Sequence, residues 1–125
     1  MQLGPLNYVY YWTADMDRAV HFYEDVLGLK LLRRDDSQWA EFDAGSVKFS
    51  LHGAVDGRPV EPGGATAVFL VDDLDLTKAA LQDRGAVFDE HVGEVKGFAR
   101  FAALHDPDGN KIELIEYERE PGGMS

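Results

Sequence analysis

Alternating apolar and polar positions divide the chain into short strands, two helices and one break. Asn7-Tyr-Val-Tyr-Tyr-Trp-Thr13 is aromatic and β-branched, which predicts a strand. Asp15 then caps a helix in which Met16, Ala19, Val20, Tyr23, Val26 and Leu27 recur at helical spacing, until Gly28 stops it. Leu29 to Arg34, Trp39 to Asp43 and Val47 to His52 predict three further strands, with a turn at Ala44-Gly45. Residues 54–64 hold three Gly and two Pro with little periodicity, and predict a linker.

After the linker the order restarts. Thr66 to Val71 predicts a strand, and Asp73 caps a helix through Leu74, Thr77 and Leu81 that ends at Gly85. Val87 to His91 and Phe98 to Leu104 predict strands, and Asp106-Pro-Asp-Gly109 is a turn with Pro second and Gly fourth. Lys111 to Glu118 predicts the last strand. Residues 119–125 read as a flexible tail.

The two halves align. Tyr8 falls on Thr66, Asp15 on Asp73 and Asp17 on Asp75, each 58 residues apart; Lys48 falls on Lys111, Ser50 on Glu113 and Leu51 on Leu114, each 63 apart. The five extra residues fall in the Glu90 to Gly97 loop. The reading is an α+β fold of two βαβββ modules: module one at 6–53, module two at 65–118, together one domain over 6–118. A module covered by its helix on one sheet face leaves the other face bare, so two modules together can form a cleft.

Composition removes several classes of function. The chain has 125 residues, with 12 Lys+Arg against 23 Asp+Glu and a net charge of -11. Such acidity repels phosphate backbones and anionic headgroups, so neither nucleic acid nor a membrane surface is the expected partner. There is no cysteine, which excludes disulfides, thiolate metal sites and cysteine nucleophiles. No apolar run approaches the roughly 20 residues of a membrane span, and no leader pattern opens the sequence, so the cytoplasm is the expected location.

Asp15-Met-Asp-Arg-Ala-Val-His-Phe-Tyr-Glu-Asp-Val-Leu-Gly-Leu29 resembles the first-helix signature of the vicinal oxygen chelate superfamily, and Asp106-Pro-Asp-Gly-Asn-Lys-Ile-Glu-Leu-Ile115 its closing turn and strand. That superfamily includes glyoxalase I, the bleomycin-resistance proteins and extradiol dioxygenases. The resemblance covers residues 6–117, and it implies paired modules curled around a pocket with the helices outside. It also implies that metal-dependent members ligate a divalent cation at the positions held here by Tyr8, Ser50, Thr66 and Glu113. A phenol and two hydroxyls are poor ligands for zinc, nickel or iron(II), so no metal and no cofactor is expected.

Alternation assigns the faces. Val9, Tyr11, Val47, Phe49 and Leu51 should meet the helix of module one; Tyr8, Tyr10, Trp12, Lys48, Ser50 and His52 should face the pocket. In module two the pocket side takes Thr66, Val68, Leu70, Glu113 and Ile115. Trp39 and Glu41 share a face that can extend the pocket, and Arg100 and Lys48 are the basic residues expected near it. Tyr8, Tyr10 and Trp12 form either a core filling or a stacking wall for a planar ligand. Glu113 is the best catalytic candidate, as a hydrogen-bond acceptor or general base. A Ser50–His52 nucleophilic dyad is rejected, because neighbours two apart on one strand face lie roughly 6 to 7 Å apart and no orienting carboxylate is evident. His91 borders the pocket mouth without an assigned role.

The expected ligand set is therefore Tyr8, Tyr10, Trp12, Trp39, Ser50, His52, Thr66 and Glu113. The expected function is metal-free binding of a partly aromatic small molecule, by sequestration or as a non-metal enzyme, in a homodimer. The alternatives are a metal-dependent lyase, isomerase or dioxygenase using Glu113, and a structural homodimer whose cleft is filled by its own side chains.

Overall fold

A computed structural model describes residues 5–55, 59–90 and 93–118. It divides into two compact units, the first ending at Pro62 and the second beginning at Gly63, inside the segment read as a linker.

In the first unit, β1 (Tyr8–Thr13) leads into α1 (Met16–Val20), then β2 (Lys30–Asp35), β3 (Trp39–Asp43) and β4 (Lys48–Gly53). The strand order is β1-β4-β3-β2, with β1 parallel to β4 and the other pairs antiparallel. Asp15 caps α1, its carboxylate accepting from the Arg18 N–H at 3.1 Å. The helix does not stay α-helical to Gly28. His21–Val26 widens into π-helical bonding, where the Leu27 N–H reaches the Phe22 carbonyl at 2.9 Å. Gly28 then takes φ +81°, a conformation that favours glycine.

The core of this unit lies on the helix side of the sheet. Tyr23, Phe42, Phe49 and Leu51 are buried, with ring centroids of Tyr23 and Phe49 4.7 Å apart and of Tyr11 and Phe49 5.4 Å apart.

The second unit repeats the pattern: β5 (Ala67–Leu70), α2 (Leu74–Asp83), β6 (Gly93–Val95), β7 (Ala99–His105) and β8 (Lys111–Tyr117), in the order β5-β8-β7-β6. The repeat extends to single pairs: Tyr10 lies beside Ser50 in the first sheet and Val68 beside Glu113 in the second, positions 58 and 63 residues apart. Asp73 caps α2 as Asp15 caps α1, accepting from the Leu76 N–H at 3.0 Å. The core is again on the helix side, with Leu74, Leu81, Leu104, Ile112 and Leu114 buried. The turn before β8 is held by Asp106, whose Oδ1 accepts from the N–H groups of Asp108 at 3.0 Å and Asn110 at 2.8 Å.

Two expectations on this unit are corrected. Val87 to Glu90 forms no continuous strand; Phe88 makes one bridge to Leu104, and the Asp89 N–H donates to the Ala103 carbonyl at 2.8 Å. The strand is Gly93–Val95, inside the stretch read as a loop, because it takes the edge of β7 opposite Ala99 to Phe101. Thr66 lies just ahead of β5 and outside it. His91 and residues 119–125 lie outside the described residues.

Candidate functional site

The sheet face of the first unit turned away from its helix carries five rings in mutual contact. β1 supplies Tyr8, Tyr10 and Trp12, because alternate residues of a strand share a face. β3 supplies Trp39 and β4 supplies His52, which pair directly across strands, as Trp12 does with His52. Ring centroids lie 5.4 Å apart for Tyr8 and Trp39, 5.7 Å for Tyr10 and Trp39, and 5.5 Å for Tyr10 and His52. His52 packs closest on Trp12, at 4.1 Å. Most of these pairs are tilted or edge-on, the geometry that the ring quadrupoles favour. Trp12 keeps 38% of its surface exposed and Tyr8 and Tyr10 each keep 42%, whereas Phe42 on the opposite face keeps none.

Polar groups are set into this face at defined points. The Trp39 indole N–H donates to Glu41 Oε2 at 2.9 Å, which fixes the indole beside Tyr8 and Tyr10. Lys48 Nζ stands 3.9 Å from Glu41 Oε1. His52 Nδ1 lies 2.8 Å from the Gly53 carbonyl; a carbonyl only accepts, so Nδ1 carries the hydrogen and the neutral ring presents Nε2 as an acceptor. Ser50 lies between Tyr10 and Glu41 in the sheet and is fully buried, and its hydroxyl has no hydrogen-bond partner among the described residues. Leaving a buried hydroxyl unpaired costs on the order of 1–3 kcal/mol. It does not bond to His52, in keeping with the rejected nucleophilic dyad. Trp12 also borders a depression of about 320 Å³ lined by Ala54, Val55, Pro59, Val60 and Glu61.

The corresponding face of the second unit is different. Val68 and Leu70 are exposed on it, and Glu113 pairs with Lys111 at 3.4 Å. Glu113 and Lys111 line a cavity of about 380 Å³ with Asp89, Gly93 and Phe101. Thr66 is exposed ahead of the strand. Arg100, expected near the pocket, lies on the helix side instead. Its guanidinium bonds Asp75 of α2 at 2.9 Å and faces Glu116 at 3.4 Å. The arginine holds the Asp75 carboxyl below its ordinary range through a hydrogen bond and its charge, and Asp75 raises Arg100 in turn. Glu116 also accepts from the Leu74 N–H at 3.0 Å, so this group fastens the start of α2 to the sheet.

The positions that the resemblance implies as metal ligands do not fit a transition metal. Tyr8 offers a neutral phenol, Ser50 a hydroxyl without exposed surface, Thr66 a hydroxyl, and Glu113 a carboxylate already facing an ammonium. One carboxylate among three neutral oxygens is a weak donor set. No group of three or more His, Asp or Glu with metal-binding geometry occurs among the described residues.

The family model for the Glyoxalase/Bleomycin resistance protein/Dioxygenase superfamily matches residues 5–114. The chain belongs to that superfamily. Among superfamily relatives, the lactoylglutathione lyase of Haemophilus influenzae is 30% identical, over 90% of this chain and 92% of that protein. The structure is similar to TnmS3, an antibiotic binding protein from Streptomyces sp. CB03234, with a TM-score of 0.74 and 25% identity over 94% of this chain and 99% of that one. It matches the fold of a lactoylglutathione lyase from Agrobacterium tumefaciens with a TM-score of 0.74 and 22% identity, covering 93% and 96% of the two chains. No helix among the described residues is long and apolar enough to cross a membrane.

Six of the eight expected contact residues lie together on the first unit's bare sheet face. Two groups of that face were underweighted in the sequence. Glu41 fixes Trp39, and Lys48 neighbours Glu41; the signal for both was alternation along β3 and β4.

Proposed function

We propose that the protein binds a small, planar, partly aromatic organic molecule without a metal or cofactor, on the face formed by Tyr8, Tyr10, Trp12, Trp39 and His52. The observation that carries this reading is the ring cluster itself. Tyr8, Tyr10 and Trp12 stand exposed with Trp39 and His52 partly buried beside them, and a contiguous exposed apolar patch marks an interaction site. Flat faces supply dispersion and stacking, and the phenols, the indole N–H and His52 supply polar handles. Ser50 is proposed as a polar group beneath the ligand. Thr66 and Glu113 are proposed contacts on the resemblance alone, with Glu113 the candidate general base of any reaction. The antibiotic binding protein of the same fold supports sequestration as the activity.

A second reading is a metal-dependent lyase, isomerase or dioxygenase, favoured by the names of the lactoylglutathione lyase relatives and opposed by the donor set. Stoichiometric nickel, zinc or iron in protein purified without an affinity tag would establish it. We also propose a homodimer in the cytoplasm, with no nucleic-acid or membrane partner; sedimentation at micromolar concentration giving 13.9 kDa would refute the dimer.

The binding reading has a direct test. The chain has two tryptophans, Trp12 and Trp39, and both lie in the ring cluster, so intrinsic tryptophan emission reports from this face. Titration with benzimidazole, planar and neutral at pH 7, should change that emission saturably, and Tyr10→Ala should weaken the apparent affinity at least fivefold. Emission unaltered up to millimolar probe would overturn the reading. Glu113→Gln tests the second unit's part: retained folding with weakened binding is expected.

A further inference from the structure

We infer that this face is selective for a planar heteroaromatic cation that carries an N–H donor on its edge, with Glu41 as the specificity-determining residue. The inference rests on the binding reading above and adds the charge and polarity of the ligand.

Glu41 is the carboxylate set into the ring cluster, with its side chain 16% exposed. Its two oxygens are used unequally. Oε2 accepts the Trp39 indole N–H at 2.9 Å, so the carboxylate is fixed in orientation relative to the rings. Oε1 receives no hydrogen bond among the described residues; Lys48 Nζ at 3.9 Å is beyond bonding distance, and half of the lysine side chain is in solvent. A partly desolvated carboxylate oxygen with an open acceptor position attracts a charged N–H donor more strongly than a neutral one.

The rings add to the preference. The faces of Trp12, Trp39, Tyr8 and Tyr10 are the negative part of each ring quadrupole, and a cation near them is stabilised, most at tryptophan. Ser50 supplies an independent sign of an unfilled polar position. It pairs with Glu41 across the sheet, and its buried hydroxyl has no partner among the described residues. The net charge of -11 raises the local concentration of cations around the protein. Lys48 and Arg33, the cross-strand neighbour of Glu41 on β2, are the opposing charges; Arg33 is held on Asp35 at 2.6 Å, and a bound cation must displace the Lys48 ammonium from Glu41.

Calorimetric titration at pH 7 with 4-aminoquinoline, a cation with N–H donors, and with quinoline, a neutral ring system of similar size, tests this. The cation should bind at least tenfold more tightly. Glu41→Gln should bring the two affinities within about twofold of each other, chiefly by weakening the cation. Lys48→Met, on a half-exposed side chain, should tighten the cation alone by about threefold, and it keeps the test valid if Glu41→Gln loses the fold through Trp39. Equal affinities in the wild type would overturn the cation selectivity, a preference that survives Glu41→Gln would overturn the role of Glu41, and either result leaves the binding reading intact. Binding of neither compound would overturn both.

Discussion

The two units share a strand order, a helix cap and matched residue pairs, yet their bare sheet faces have little chemistry in common. Where the first sheet places Tyr10 beside Ser50, the second places Val68 beside Glu113. Both buried faces are ordinary apolar cores. The bare face of the first unit is a cluster of five rings around one fixed carboxylate; that of the second carries Val68, Leu70 and Ile115 with the separate rings Phe101 and Tyr117, and a Lys111–Glu113 pair. The duplicated parts are those the backbone needs: caps, parallel pairs and helix-facing apolar residues. The parts that differ are free to differ because nothing packs on them from within the unit. Shared strand order and caps beneath bare faces of different chemistry are what a scaffold reused for function looks like.

Several substitutions can break this contrast. Phe42→Ala, on the helix side and without exposure, should destabilise by about 3–5 kcal/mol in urea unfolding, as buried aromatic truncations do. A loss under 1 kcal/mol would show that the two faces of this sheet are not energetically distinct. Asp15→Ala and Asp73→Ala should each cost about 1 kcal/mol, since the two caps are geometric copies; a clear inequality would sharpen the comparison by showing which helix its unit depends on. The smallest effect belongs to Asp75. Its carboxyl is lower in the folded chain than in the unfolded one, so the Arg100 contact contributes stability above the ordinary carboxylate range and loses it as pH falls below about 4. Asp75→Asn should lower the neutral plateau of the melting-temperature profile slightly and leave the values below about pH 4 nearly unchanged, which flattens the acid limb.

Most of the fold was legible because its causes are local. Asp15 and Asp73 sit one turn before apolar residues at helical spacing, and Asp106-Pro-Asp-Gly109 encodes its own turn through the Asp106 carboxylate. The ring face followed from alternation along β1. What was not legible depends on partners distant in sequence. Gly93–Val95 is a strand because β7 has an open edge there, while Val87 to Glu90 has the composition of a strand and obtains one bridge. Arg100 turns to the helix side because Asp75 and Glu116 converge there, which alternation within Phe98 to Leu104 does not disclose. The π-helical stretch at His21–Val26 has no signal in the apolar spacing. Glu41 was visible as a neighbour of Trp39, but its role comes from one hydrogen bond that only side-chain geometry reveals.

The central claim is that the ring face is a surface for a ligand rather than a second core, and Trp12 tests it most directly. Trp12 is 38% exposed and packs chiefly on His52 and Tyr10. Urea unfolding of Trp12→Ala should show a loss below about 2 kcal/mol, well short of a fully buried aromatic. A loss of about 3–5 kcal/mol, matching Phe42→Ala, would contradict the account and make the rings a structural core.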